Sequence, residues 1–212
     1  MSTIGIAIPC YEPHHNLLYR LFDSIAAQTR KPDRIVVSCS SWKIDTRKDH
    51  VYNGIPITIL YATRRIVQAE NRNIAARVLN TDIISFIDAD DLMHPRRLEY
   101  ILRGFQETKC DAIVHNYQYV DRSTQAPYEP EDELVFSTYP IVKNPDQPGC
   151  ISEGDVPFHH AHISVTRGLF ARFQYPIEYR YYRIEDSVYV ATLVANGVDI
   201  RHIANKLSQY MY

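Results

Sequence analysis

Three carboxylates, Asp88, Asp90 and Asp91, follow directly on the apolar run Ile83-Ile84-Ser85-Phe86-Ile87. Carboxylates this close repel one another unless a cation or a hydrogen-bonding partner neutralises them. One chemistry open to such a set is a divalent metal holding a substrate diphosphate. The other reading is a solvated acidic turn that caps the helix beginning near Pro95, and the cluster alone does not choose between them. A second acidic pair, Glu185-Asp186, opens a late apolar stretch. Acids there favour a helix N-terminus through capping and the macrodipole. A carboxylate beside a reacting hydroxyl can also take its proton. Two further segments carry polar chemistry: Ile8-Pro9-Cys10-Tyr11-Glu12 and Gln68-Ala69-Glu70-Asn71-Arg72-Asn73. They offer an aromatic face at Tyr11, an amide at Gln68 and a cation at Arg72.

The elements that must position these residues follow from hydrophobic periodicity. Thr3 to Pro9 reads as a buried strand stopped by proline, and His15 to Gln28 as a helix with Leu17, Leu18, Leu21, Phe22 and Ile25 inward. Strands are expected at Arg34–Ser38, Ile55–Tyr61, Asp82–Ile87, Asp111–Val120, Phe158–Val165 and Val198–Ile203. Helices are expected at Val67–Leu79, from about Pro95 to Thr108, near Gly168–Phe173 and at Ile184–Ala195. Alternating strands and helices predict a three-layer α/β sheet, mainly parallel. Open sheets of that kind bind ligands at the C-terminal edge of their strands. All four polar segments should meet there. Ser123 to Pro157 carries six of the twelve prolines and an acidic run. It is too long for an ordinary connection, so it reads as a lid or an irregular subdomain. Its part from Asp146 to Pro157 is placed to close over a substrate. Alternation along Phe158–Val165 puts His160 and His162 on one face, and with His159 they are spare metal ligands or core histidines.

Composition sets the outer bounds. The 212 residues suit a single domain, read here as a half over 1–120 and a second half over 121–212 with the long loop 123–157. A net charge of -2 argues against a nucleic-acid partner held by bulk electrostatics. No apolar run approaches the ~20 residues of a membrane span, and no signal-peptide pattern opens the chain, so a cytoplasmic location is expected. The four cysteines, Cys10, Cys39, Cys110 and Cys150, are widely spaced and form no CxxC. They read as reduced thiols without a zinc or disulfide signature. The 16 tyrosines suit a sugar site and also suit half-buried strands.

In their order and spacing the four segments resemble the family 2 nucleotide-sugar glycosyltransferases with the GT-A fold. The resemblance rests on Ile8-Pro9-Cys10-Tyr11, on Glu70-Asn71-Arg72-Asn73 for a helix opening of the Ala-Arg-Asn type, on Asp88-Ala89-Asp90 with Asp91, and on Glu185-Asp186. It implies a Rossmann-like α/β/α domain with a small irregular acceptor-side subdomain. The implied activity is inverting transfer from a nucleotide-sugar, most often a UDP-sugar, to a hydroxyl of a glycan or glycoconjugate, with Mn²⁺ or Mg²⁺. The implied donor residues are Pro9, Tyr11, Glu12, Ser38, Ser40, Gln68, Arg72, Asp88, Ala89 and Asp90. Metal ligation falls first to Asp90, then to Asp88 and Asp91, with His160 as a further candidate. Asp186 is the implied base and Glu185 the second choice. The size and motif set also resemble the N-terminal transferase domain of a large viral multidomain glycosyltransferase, so further domains of a longer parent are expected.

Two departures matter. Ser38-Cys39-Ser40-Ser41 stands where relatives carry an Asp after strand two, so a charged contact to the base is missing. No histidine lies near Tyr210–Tyr212, where some relatives supply a metal ligand, and His202 comes early. Competing classes are a haloacid-dehalogenase-like phosphatase, against which Leu92 and the mid-chain motif argue, and a sugar nucleotidyltransferase, which needs a Gly-rich opening loop. A non-catalytic nucleotide-sugar or glycan-binding module is the reading from a different class.

Overall fold

The structure is a computed structural model that describes residues 2–123, 127–128, 136–138 and 160–211. Ten strands form one sheet: β1 Ile4–Tyr11, β2 Arg34–Ser40, β3 Thr46–Tyr52, β4 Ile55–Tyr61, β5 Ile83–Phe86, β6 Leu92–Met93, β7 Ala112–Val120, β8 Phe136–Thr138, β9 Ser164–Thr166 and β10 Ile200–Met211. Their order is β3-β4-β2-β1-β5-β9-β7-β10-β6, with β8 also paired to β10. The run β4-β2-β1-β5 is parallel, as is β7 with β10. The strands β3, β6, β8 and β9 pair antiparallel.

Five helices cover the two faces: α1 Leu18–Ala26, α2 Gln68–Val78, α3 Arg97–Thr108, α4 Arg167–Arg172 and α5 Glu185–Ala195. The period-2 alternation of β1 explains the split. Ile4, Ile6, Ile8 and Cys10 enter a core with Leu21, Phe22 and Ile25 of α1 and with Leu98, Ile101 and Phe105 of α3. Ala7 faces the other way, into a core with Ala69, Ala75 and Ala76 of α2, Leu169 and Phe170 of α4, and Tyr189 and Leu193 of α5. The α2 side of β1 is built from small residues because the layer is close. A Cβ on Gly5 would lie 2.6 Å from Leu79 and 2.7 Å from Thr81.

Several expectations change. A 3₁₀ turn over Glu12–Leu17 precedes α1, so the helix begins later than the periodicity suggests. The edge strand β3 was not expected. Its Arg47, Lys48, Asp49 and His50 are exposed, and charged edges carry no apolar alternation. It joins β4 through Asn53 and Gly54 at φ 47° and 82°, a type I′ turn. The expected strand Phe158–Val165 is instead a 3₁₀ turn, His160–His162, followed by the short β9. A 3₁₀ turn has no period of two, so the alternation expected to put His160 and His162 on one strand face does not apply. The last strand continues to Met211, well past Ile203. Most of Ser123–Pro157, including Asp146–Pro157, lies outside the described residues, as does the backbone of His159. Among the described residues no helix is long and apolar enough to cross a membrane.

Candidate active site

The C-terminal ends of β1, β2 and β5 and the N-terminal ends of α2 and α5 surround a cleft of about 820 Å³. Pro9 and Tyr11 line it from β1, Ser40 from β2, Gln68 and Arg72 from α2, Asp88, Ala89 and Asp90 from the turn after β5, and Glu185 and Asp186 from α5. The sheet edge therefore gathers residues from all four polar segments. Tyr11 is exposed on the rim, where its hydroxyl meets His14 Nε2 at 3.2 Å.

Arg72 is the centre of the charge arrangement. It is 1% exposed, and its Nη2 donates to both Asp88 oxygens at 2.8 and 3.1 Å while Nη1 donates to Glu185 Oε1 at 2.9 Å. Its guanidinium also lies 5.2 Å from the Tyr175 ring. Burial opposes the charge, but the carboxylates of Asp88, Asp186 and Glu185 outweigh it and raise the Arg72 pKa. A buried pair of this kind costs desolvation, which the bonds from both Nη atoms offset, while the buried Nε has no partner among the described residues. Asp88 gains a further bond from Gln68 Nε2 at 3.0 Å. One cation on α2 thus locks the acidic turn to the start of α5.

The three clustered aspartates separate in role. Asp90 faces the cleft, with His14 Nδ1 3.6 Å from Oδ2 and the Arg122 guanidinium in contact with the same oxygen. Asp91, expected at the metal, points into the protein and does not line the cleft. It is 1% exposed, with His162 Nε2 at 2.8 Å from Oδ2 and the Met211 backbone N–H donating to Oδ1 at 3.0 Å. His162 Nδ1 in turn meets Ser208 Oγ at 2.8 Å. Burial first, then the charges of Asp88 and Asp90, push the Asp91 carboxyl well above the usual carboxylate range. It is an anchor between the turn and β10.

Glu185 is committed to Arg72, whereas Asp186 lines the cleft from the first turn of α5 and accepts the Ser187 N–H at 2.8 Å. Arg183, just before this helix, holds a left-handed φ of 74°, which a non-glycine residue adopts at a cost. Tyr179 and Tyr182 stack with ring centroids 5.8 Å apart and line the same side.

Two expected donor residues lie elsewhere. Glu12 is exposed at the start of the 3₁₀ turn and does not line the cleft. Ser38 is buried one layer below, donating to Asn71 Oδ1 at 2.8 Å. Asn71 was missed although it lies in the quoted helix opening. Its Nδ2 donates to Cys10 O and Ser40 Oγ, both at 3.1 Å, and it lines the cleft. Ser40 and Ser41 line the region where the strand-two Asp is missing. His14, Arg65 and Tyr210 also line the cleft, and no local pattern marks them. Only the backbone of His160 is described.

Among the described residues no three His, Cys, Asp or Glu side chains cluster to hold a metal. On the acidic turn, Asp90 offers a cleft-facing carboxylate that is not bonded to Arg72; its partners are His14 and Arg122. Oxygen ligation by one carboxylate, with the rest of the shell from phosphate and water, is the usual manner of Mg²⁺.

The sequence profile of Glycosyl transferase family 2 matches residues 5–170. An uncharacterized glycosyltransferase of Haemophilus influenzae is 23% identical over 141 residues, which is 61% of this chain and 45% of that protein. Crystal structures of S. aureus TarS 1-349 superimpose over 99% of this chain and about 60% of theirs. The UDP complex does so at a TM-score of 0.66 and 13% identity, and a second TarS 1-349 structure at 0.69 and 15%. The UDP-GlcNAc complex covers 58% of its own chain at a TM-score of 0.66 and 14% identity. The chain thus spans about half to three-fifths of the length of these relatives. At these identities the superpositions establish a shared fold, and the profile match over most of the chain establishes kinship: the chain belongs to glycosyl transferase family 2.

Proposed function

We propose that the cleft transfers a sugar from a UDP-sugar to a hydroxyl of a glycan or glycoconjugate, with inversion at the anomeric carbon. The observation that carries this reading is the convergence of Asp88, Asp90, Arg72 and Asp186 on one cleft from separate segments. TarS, which shares the fold, has been crystallised with UDP and with UDP-GlcNAc, and this supports the choice of donor. The single sheet joins the proposed donor half, 1–120, to the acceptor half through the pairing of β7 with β10.

In this reading Tyr11 stacks on the base from the rim. Asp88, held by Arg72 and Gln68, presents a fixed oxygen to the ribose. Asp90 is the protein ligand for Mn²⁺ or Mg²⁺, whose part is to neutralise the charge that the leaving diphosphate gains. Arg65 and Arg183 add positive charge on the cleft wall. Asp186 faces the cleft and takes the proton of the attacking hydroxyl. Glu185, tied to Arg72, holds the end of α5 in place. Tyr179 and Tyr182 form the acceptor side. Titration calorimetry with UDP tests the assignment. Wild type is expected to bind UDP more tightly with Mn²⁺ than with EDTA, and Asp90→Ala to lose that difference. Equal wild-type affinity in both solutions overturns the metal role.

A further inference from the structure

Cys10 and Cys39 are distant in sequence but adjacent in the sheet. They are direct partners in the parallel register of β1 and β2. Neighbouring strands lie about 4.8 Å apart, within the Cα separation of about 4.4–6.8 Å that a disulfide spans. Directly paired residues of parallel strands project to the same face, and both thiols enter the same core. Cys39 is fully buried, and Cys10 is 4% exposed because it lines the cleft between Pro9 and Tyr11. The Cys10 thiol also donates to Tyr11 O at 3.4 Å. Cys10 and Cys39 are both free thiols. Among the described residues no metal-holding cluster includes either sulfur.

We propose that Cys10 and Cys39 are a reversible redox site under the nucleotide cleft, oxidised by a hydroperoxide to a cross-strand disulfide that weakens donor binding. The oxidant enters through the cleft beside Cys10. The Cys10 sulfur attacks one peroxide oxygen: an S–O bond forms, the O–O bond breaks, and water leaves with the thiol proton. The Cys39 sulfur then attacks the Cys10 sulfur: the S–S bond forms, the S–O bond breaks, and a second water leaves with the Cys39 proton. Two thiols lose two electrons and two protons, and hydrogen peroxide becomes two waters. Drawing the Cys10 sulfur toward β2 displaces Pro9 and Tyr11. The thiol pairing stands without the donor reading; the loss of donor binding rests on it.

The full chain, treated with hydrogen peroxide with and without UDP and then alkylated, is digested without reduction and mapped by mass spectrometry. A Cys10–Cys39 linked peptide is expected, forming more slowly with UDP present. UDP affinity by calorimetry should fall by about tenfold and return after dithiothreitol. Cys39→Ala and Cys39→Ser should lose this sensitivity, each checked for folding by circular dichroism, while Cys110→Ala keeps it. Oxidation at other sites only overturns the proposal. So does a linked peptide with unchanged UDP affinity in a protein whose reduced form binds UDP. A reduced protein that ignores UDP sinks the donor reading instead, and the linked peptide still decides the pairing.

Discussion

Two residues around one guanidinium illustrate how neighbouring acids come to differ. Glu185 and Asp186 are adjacent and chemically alike, yet Glu185 is spent on Arg72 and Asp186 is left facing the cleft. In the proposed mechanism Asp186→Asn removes only the proton acceptor. Transfer should fall by about 10²–10⁴-fold, the usual worth of general-base catalysis, while UDP affinity in calorimetry stays at the wild-type value. A variant that transfers at the wild-type rate places the base elsewhere. Arg72→Met addresses the other half of the arrangement. It leaves Asp88 and Glu185 buried opposite each other without their cation, and breaking a buried pair in this way costs about 3–5 kcal/mol. Urea unfolding followed by far-ultraviolet circular dichroism reads that loss directly, and a change within error would mean that water reaches the pair.

Elements were legible in the sequence in proportion to how much of their signal is apolar. β4 matches its expected limits, Ile55–Tyr61, because it is an apolar run closed by turn signals. β3 lacks such a pattern, since an unpaired sheet edge is protected by charge. Its one local signal is Asn53-Gly54, the favoured pair for a two-residue hairpin turn. Gly54 sits at φ 82°, so Gly54→Ala should cost about 1 kcal/mol through the left-handed backbone. A thermal-melt comparison checks this, and an unchanged midpoint would mean that the hairpin frays before global unfolding. The site divides in the same manner. Asp88, Arg72 and Asp186 sit at the starts or ends of periodic elements, where sequence reasoning looks for them. Tyr210 reaches the cleft, and Arg122 reaches Asp90, only through the pairing of β10 with β7, a contact between distant segments that no local window contains. The burial of Asp91 away from the cleft has the same origin, because His162, Ser208 and Met211 come from elements far along the chain.

Across the whole molecule, the Asp91 anchor couples the acidic turn to the last strand, and its protonation couples both to pH. Its carboxyl is held well above the usual range, so the folded protein keeps a proton that the unfolded chain has already released. Stability contributed by that proton is present at acid pH and is lost as pH rises from the ordinary carboxylate range toward the raised value. Asp91→Asn is isosteric and cannot titrate. The stability of wild type relative to this variant, from urea unfolding, should therefore decline as pH rises above the ordinary carboxylate range; a difference that grows with pH would show that an ionised Asp91 is the favoured form. The anchor also has a temporal side. The turn that carries Asp88 and Asp90 is made early in synthesis, but the backbone N–H that fixes Asp91 belongs to Met211. A chain growing at about 5–20 residues per second has its acidic turn outside the ribosome for several seconds before that partner emerges. Through that interval the nascent protein holds β1, β2 and β5 without the strut that sets its acids, so the cleft takes its shape only after β10 has emerged.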